Sequence, residues 1–579
     1  LYKEGWCYIN TGEWEVALRR FESVIKWIEA KKLLEEGPAS GLRREALKDY
    51  VRAYSNIQPE FSVKGLGKPD KAFEVFGKVA STDEVPRLIE ELGQLYRNRD
   101  SHQKVVLIYN DLAKRFPSSM RQTIWQSYVL EALSRSGTRK QIIFHLEKLC
   151  SMLGDLWSAD QANPVVDRNR KKQLLESFDV AERIVRNLGL ERHKEGRRLR
   201  GKARSRSFRF AADVYEAYLG AFGGRKLTSE VDYPYYVQFY QAELFLELGL
   251  LDKAAGAFEA VAAKGEAKTS GRERKMALRA AEESVHAFEA VWQDQLEAKT
   301  SPEIIVKTED AFALSAGRYL SLVGRKKDPQ SVGVRYKVGK IAYDRGQLDK
   351  AIEQFEILVT RHGKNKVACI AANLILDIHN GSKDFVKLEE RARVFARMKS
   401  LSCSAKERKA LQGIAQQAAF GLVKERAQKN EDPVSVAKSY LDYFRKYSSS
   451  SLGDKALYHA AIAYEKAGDS KQSAKIKFKL IKKFPKSELA RETLFAMAAD
   501  YENSVQVVKA RKLFERFATS YPEDERAPVV WLKVAAFSRA LGDKRGAQRA
   551  FEKVGSDYVS HPQAHLAGVN ACKPLEMEL

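Results

Sequence analysis

Small and bulky side chains recur along this chain every 36–37 residues, and that repeat limits its fold more than any other feature. Ala547 has Gly542 five residues before it and Phe551 four after. Ala510, 37 residues earlier, has Tyr501 nine before, Phe514 four after and Pro522 twelve after. Ser473, another 37 back, keeps Gly468 and Pro485 in those slots, with its aromatic displaced by one to Phe478. Ala437 lies a further 36 back, followed by Leu441 and Phe444. The template returns at Ala351 (Gly339, Gly346, Phe355), Ala254 (Gly249, Phe258), Ala17 (Gly5, Tyr8, Gly12, Phe21) and Ala72 (Gly67, Phe76). Val105 has Gly93, Tyr96, Tyr109, Leu112 and Pro117, and Ile142 follows it by 37 with Gly137 five before.

Each slot has a mechanical reason. The glycine before the anchor ends a first helix in a left-handed turn that costs glycine little. The small anchor lets a second helix approach closely. The aromatic one turn later fills the space between the paired helices, and the proline stops the second helix. A lone hairpin cannot bury its apolar face, so the units must stack. The expected fold is all-α, an α-solenoid of stacked helical hairpins, with almost no sheet because no stretch alternates with period two. Only 15 prolines in 579 residues suit long helices. The aromatics at the packed slots (Tyr8, Phe21, Phe76, Tyr96, Phe258, Phe355, Phe514, Phe551) are expected in the core.

This spacing resembles the tetratricopeptide repeat family, over about ten recognisable units. The turns Phe116-Pro117-Ser118-Ser119, Phe484-Pro485-Lys486-Ser487 and Tyr521-Pro522-Glu523-Asp524 are similar to the long-period repeats of bacterial cell-envelope proteins, such as the outer-membrane barrel-assembly lipoprotein and the Tol-Pal coordinator. The resemblance implies a tetratricopeptide superhelix acting as a non-catalytic scaffold for proteins or peptides in a bacterial envelope complex, periplasmic or outer-membrane-associated, with a cytoplasmic location as the alternative. It also implies a groove lined by first helices. Carried over position by position, that groove takes Gln94 and Arg97, then Lys340, Tyr343 and Asp344, then Glu465, Lys466, Glu502 and Arg539.

Four regions are expected: an N-terminal array over 1–154, an irregular helical region with a basic segment over 155–230, a middle array over 231–400 with units around Ala254, Ala351 and Val386, and a regular array over 401–579. Gly37-Pro38-Ala39-Ser40-Gly41 reads as a loop. In 155–230, Asn163-Pro164 and Gly189, Gly196, Gly201, Gly220, Gly223 and Gly224 break the period. Thr300-Ser301-Pro302-Glu303 reads as a helix start. A helical motif begins almost at Leu1, so residues upstream are expected, and a signal peptide or lipid anchor would lie there.

Lys+Arg exceed Asp+Glu by 100 − 76 = 24, a field that favours acidic partners, including acidic proteins, an anionic membrane surface and nucleic acid, without choosing among them. The basic segment holds Arg192, Lys194, Arg197, Arg198, Arg200, Lys202, Arg204, Arg206 and Arg209. Either it is a charged helix face paired with acidic neighbours or a mobile loop, or it is a patch for an anionic partner. Phe208 and Phe210 interleave it as in single-strand binders, so a nucleic-acid-binding helical repeat is the alternative function. Apolar runs stop near the length of Val105–Tyr109, far short of the roughly 20 residues of a membrane helix.

Chemistry is sparse. No phosphate loop, dinucleotide fingerprint or nucleophile elbow occurs, and Gly65-Leu66-Gly67 reads as a turn. The five cysteines (Cys7, Cys150, Cys369, Cys403, Cys572) are far apart and suggest neither a disulfide framework nor a metal site. Cys403 reads as a loop or core thiol. His561 and His565 would share a helix face without a third ligand, and read as a surface pair. Pairs such as Glu35/Glu36 and Glu282/Glu283 are ordinary in solvated helices. No catalytic residue, cofactor, metal or small-molecule substrate is expected.

Overall fold

The computed structural model describes residues 1–31, 38–62, 64–162, 167–225, 229–267, 271–324, 328–429 and 431–576. Among them are 27 α-helices, two short 3₁₀ turns (Pro59–Phe61 and Pro69–Lys71) and no strand. The chain divides into two compact units, Leu1–Lys327 and Asp328–Leu579. The first holds α1 (Tyr2–Thr11), α2 (Trp14–Ala30), α3 (Pro38–Asn56), α4 (Ala72–Phe76), α5 (Val85–Asn98), α6 (His102–Arg115), α7 (Gln122–Ser136), α8 (Arg139–Ala162), α9 (Arg168–Arg198), α10 (Gly201–Phe222), α11 (Tyr233–Glu247), α12 (Leu251–Gly265), α13 (Gly271–Glu297) and α14 (Pro302–Val323). The second holds α15 (Pro329–Asp344), α16 (Leu348–Arg361), α17 (Lys366–Gly381), α18 (Phe385–Arg397), α19 (Ala405–Gln428), α20 (Pro433–Lys446), α21 (Gly453–Lys466), α22 (Ser470–Lys483), α23 (Glu488–Asn503), α24 (Val507–Ser520), α25 (Ala527–Ala540), α26 (Lys544–Asp557) and α27 (Ala564–Glu576). Within each unit, helices adjacent in sequence pack on one another, which is the stacked-hairpin α-solenoid that the repeat requires.

The repeat slots take the roles their chemistry dictates. Gly5, Gly93 and Gly339 lie so close to Phe21, Tyr109 and Phe355 that an added Cβ would stand 2.6 Å from each ring. In the α11–α12, α23–α24 and α25–α26 hairpins the same slot holds Ala242, Ala498 and Ala535, each fully buried. Phe21, Phe76, Tyr96, Phe258, Phe355, Phe514 and Phe551 are core residues, while Tyr8 is half-buried at the first hairpin's edge. The turn slot five before the anchor is left-handed at Gly12, Gly249, Gly346, Gly468 and Gly542, with φ from 70 to 81°. It stays left-handed where glycine is missing, at Asp100, Lys383 and Val505 (φ 52, 58 and 59°). The unit expected around Val386 therefore has Leu388 as its buried anchor, five after Lys383, and Val386 is exposed.

Several expectations are corrected. Gly137 is extended (φ −94°), so the α7–α8 turn departs from the template. Pro38 starts α3, so residues 38–41 are helix rather than loop; Gly37, like Glu35/Glu36 and Asn163-Pro164, lies outside the described residues. Residues 168–222 are two long regular helices, not an irregular stretch. Gly189 and Gly196, taken as breakers, are seats within α9: Tyr215 and Phe208 of the antiparallel α10 fill the space their missing side chains leave. The pairs 189/215 and 196/208 share one sum, 404, as an antiparallel helix pair with contacts two turns apart requires. Phe478 is partly exposed, and the position four after the anchor holds Lys477, whose side chain is 13% exposed.

Cys369 and Cys403 form a disulfide across 34 residues. Their separation looks large along the chain but is about one repeat, and one repeat later the chain returns to the next layer of the stack. The N–H of Ser402 donates to the Gly363 carbonyl at 2.7 Å, so the segment before α19 runs beside the start of α17 and brings the two sulfurs together. Cys7 and Cys150 are free thiols, and burial pushes the Cys150 thiol up to about 11. The side chain of Cys572 lies outside the described residues.

Candidate binding surfaces

First helices carry the nine groove candidates, and most of them are already engaged. On α5, Arg97 donates to Glu131 of α7 at 2.6 and 2.9 Å and to Gln94 at 2.6 Å, with its guanidinium 3.7 Å from the Tyr128 ring. Gln94 and Arg97 thus lock α5 to α7 before any partner arrives. On α15, Lys340 pairs with Asp344 one turn on and lies 5.1 Å from the Tyr343 ring. Glu465 of α21 holds Lys477 and accepts from Ser473 Oγ at 3.1 Å. Glu502 of α23 pairs with Lys533 of α25 at 2.6 Å. Lys466 and Arg539 are exposed at the ends of α21 and α25. Tyr458, Phe495, Tyr501 and Phe537 are half-buried on the first helices of the same array.

The basic segment closes one end of the α9–α10 hairpin. Arg192 pairs with Glu195 at 2.8 Å and donates to the Ser134 carbonyl at 2.6 Å. Arg197 pairs with Glu243 at 3.3 Å, and Arg204 with Glu247. Burial raises the Glu243 carboxyl while Arg279 and Arg197 pull it back down, so it rises only in part. Lys194, Arg198, Arg200, Lys202, Arg206 and Arg209 are the members with no ion-pair partner among the described residues, and all six are exposed. The interleaved aromatics are not a stacking platform. Phe208 and Phe210 are 1% and 7% exposed, and Phe208 fills the Gly196 seat. An alternating pattern on a helix sends such residues inward when they fall on its packed stripe.

Toward the other end of the same hairpin lies a buried polar pair that sequence reading missed. Glu182 of α9 accepts from Tyr218 Oη at 2.6 Å and from Arg186 Nε at 2.8 Å, and is 5% exposed. Burial and the Glu182 carboxylate both push the Tyr218 hydroxyl well above its ordinary range. His193, 4% exposed, faces Tyr215 Oη at 3.3 Å with its ring against Phe208 and Tyr240. Burial, helped by the Arg197 charge, lowers it to about 4.

An open cleft of about 450 Å³ lies between α19 and α20 in the second unit. Ala419, Leu422, Val423 and Tyr443 contribute its apolar wall. Arg426 spans the rim, donating to Glu431 and to Ser439 at 2.7 Å. Glu389 sits at its edge, with Tyr447, Lys446 and Arg393 as donors; burial raises this carboxyl, and those donors and charges more than offset it. No sequence motif marks the cleft, whose lining comes from the C-terminal half of α19, from α20 and from Glu389 of α18.

His561 precedes α27 and His565 lies within it, so the two do not share a helix face. Among the described residues no group of three or more His, Cys, Asp or Glu side chains is placed to hold a metal ion, and no helix is long and apolar enough to cross a membrane.

A family model described as tetratricopeptide repeat matches residues 1–26 and 455–487. These segments span α1 with most of α2, and α21 with α22. No curated protein matches the chain. Solved structures similar to it include yeast Tom70 (14% identity, 92% of this chain and 96% of that one, TM-score 0.19). The P58(IPK) TPR domain is similar at 12% identity, over 79% of this chain and 99% of that one, with TM-score 0.21. The human IFIT1 dimer with m7Gppp-AAAA is similar at 14% identity, over 83% and 88%, with TM-score 0.20. At TM-scores this low, none of the three bears on function.

Proposed function

We propose that this chain, whose residues 1–26 and 455–487 are tetratricopeptide repeats, is a non-catalytic scaffold that holds segments or domains of partner proteins. One observation carries this reading: the hairpins bury their anchors against one another and leave half-buried aromatics on the first helices of α21–α26. Protein interfaces draw most of their energy from such aromatics once a partner excludes water from them. The net charge of +24 steers acidic partners toward the surface, and the neighbouring ion pairs set register more than affinity.

The site is a bacterial envelope complex, in the periplasm or at the outer membrane. Two features support that placement: the similarity of the Phe-Pro and Tyr-Pro turns to envelope repeats, and the Cys369–Cys403 disulfide, since disulfides persist in oxidising compartments and are rare in the cytosol.

Site-specific photo-crosslinking in the native cell tests both. A crosslinking residue replacing Lys466, Glu502 or Arg539 should trap a common protein partner, and the same residue at Arg549 of α26 should not. Equal yield at Arg549, or no adduct anywhere, sinks the scaffold reading. In acid-quenched, denatured extracts of those cells a thiol label should reach Cys7 and Cys150 but not Cys369 and Cys403. Labelling of all four without reductant removes the envelope placement.

A further inference from the structure

The second helix of the 455–487 repeat carries an exposed aromatic at a slot where most of its counterparts carry a carboxylate. Five residues after the anchor, seven other hairpins have Glu22, Glu147, Glu259, Glu356, Asp442, Glu515 and Glu552, and three have Gly77, Asn110 and Arg393. In α22 that slot is Phe478, 37% exposed. The same helix has six lysines and no acidic residue. Lys477 is folded back onto Glu465, and its side chain is 13% exposed. The other five (Lys471, Lys475, Lys479, Lys482 and Lys483) are spaced at four, four, three and one residues, so with Phe478 they form one stripe, and all are exposed. Among the described residues none of the five pairs with a carboxylate; Lys479 alone has another contact, 4.9 Å from the Phe444 ring. The opposite face (Ser473, Ile476, Leu480 and Ile481) is buried against the stack.

We propose that this face of α22 seats the protein on an anionic lipid bilayer. The choice of lysine decides the partner. A lysine ammonium is a compact point charge on a flexible stem and suits headgroups that move laterally, whereas fixed phosphates and carboxylates favour the planar fork of arginine. Protein interfaces are enriched in arginine, tyrosine and tryptophan and depleted in lysine, so the stripe does not have the composition of a protein-docking surface. Single-stranded nucleic acid needs a row of rings for stacking, and this stripe offers one. A half-exposed phenylalanine among lysine stems fits the headgroup boundary, where the ring enters the apolar layer and the ammonium groups stay with the phosphates. The proposal is independent of the partner-protein groove, which lies on first helices.

The test is co-sedimentation of the full chain with vesicles of phosphatidylcholine alone or mixed with phosphatidylglycerol. The protein should pellet with the mixed vesicles only, and added salt should release it. The triple variant Lys475→Ala, Lys479→Ala, Lys482→Ala should bind about a hundredfold more weakly, as expected for three cations at an anionic surface. Phe478→Glu, which restores the carboxylate of seven other hairpins, should weaken binding about tenfold. Both variants should keep wild-type helix content and unfolding midpoint, because every changed side chain is exposed. Inorganic phosphate should compete no better than chloride at equal ionic strength. Binding to phosphatidylcholine alone, no vesicle binding, or a triple variant within about threefold of wild type overturns the proposal. So does retention on single-stranded DNA or polyglutamate that needs these lysines while vesicles stay unbound, since that assigns the face to a soluble polyanion.

Discussion

The α9–α10 and α21–α22 hairpins are both basic, yet they differ in how the charge is spread along the chain and in how much of it is answered. In the first, nine cations fall in an 18-residue run, which makes it stand out in the sequence. Carboxylates on its own and flanking helices answer part of that charge: Glu195, Glu243 and Glu247 take three of the nine, and further along the hairpin the buried Glu182 holds Arg186. In the second, lysines spread at helical spacing look unremarkable in sequence, and among the described residues only Lys477 of α22 finds a carboxylate. Among the described residues the dense run leaves six exposed cations without an ion-pair partner and the helical stripe leaves five, so the slots at which counter-charges are absent locate an open basic surface that a count of the run does not.

The largest effect should come from breaking the first hairpin at its buried anchor. Glu182→Ala leaves Tyr218 Oη and the Arg186 guanidinium without their acceptor in a nearly dry site. Removing one partner of a buried pair costs about 3–5 kcal/mol. Urea denaturation of the variant should show that loss, with Glu182→Gln losing less because one acceptor oxygen remains. Glu465→Ala in the other hairpin should cost under about 1 kcal/mol, because its pair with Lys477 is partly exposed. A loss under about 1 kcal/mol for Glu182→Ala would erase the contrast between the two.

A second contrast appears with pH. His193 titrates normally near 6.5 in an unfolded chain and near 4 when buried between α9 and α10. Between those values the unfolded chain holds a proton that the folded one does not, so stability falls as pH falls. The loss should reach about 3 kcal/mol by pH 4, at about 1.4 kcal/mol per pH unit. His145, His362, His379 and His459, also lowered by burial, add slopes of their own. The difference between wild type and His193→Gln isolates the α9–α10 contribution. Parallel stability curves for the two proteins from pH 7 to pH 4 would show that His193 is not held neutral.

Much of the fold was legible because its slots are local. A left-handed turn followed five residues later by a small anchor and four more by an aromatic requires only one hairpin to make sense, and Gly346, Ala351 and Phe355 fill those roles. What the sequence concealed depends on returns of the chain. Gly189 and Gly196 read as breakers because their aromatic partners lie 26 and 12 residues away, off the 16-residue spacing of Gly5 and Phe21. Cys369 and Cys403 looked unrelated because one repeat of chain separates two touching layers. The candidate groove was the least legible. Exposed positions on first helices can be read from the helix period, but Arg97, Glu465 and Glu502 are taken up by Glu131, Lys477 and Lys533, the first and last of them on a neighbouring hairpin. The α19–α20 cleft depends on bringing residues of α18, α19 and α20 together, which no motif encodes.

The smallest effect sharpens the comparison from the side of the regular array. Its turns at Gly468 and Gly542 have φ of 77 and 76°, and the α23–α24 turn between them adopts the same conformation with Val505, at φ 59°. A β-branched residue pays for that conformation in clashes between its side chain and its own backbone. The N–H of Gln506 still closes the turn on the Tyr501 carbonyl at 2.8 Å, as Asp469 does on Tyr464 and Asp543 on Ser538, so packing of the hairpin dictates the turn and the residue submits to it. Val505 is 79% exposed, so replacing it removes almost no buried surface. Val505→Gly should therefore stabilise the protein by about 1 kcal/mol, the relieved strain exceeding the added freedom of the unfolded glycine. Val505→Ala should gain less, because the Cβ clash remains. A thermal midpoint that falls in Val505→Gly would mean that the valine side chain supports the turn, and that the left-handed slot is less uniform along the array than Gly468 and Gly542 suggest.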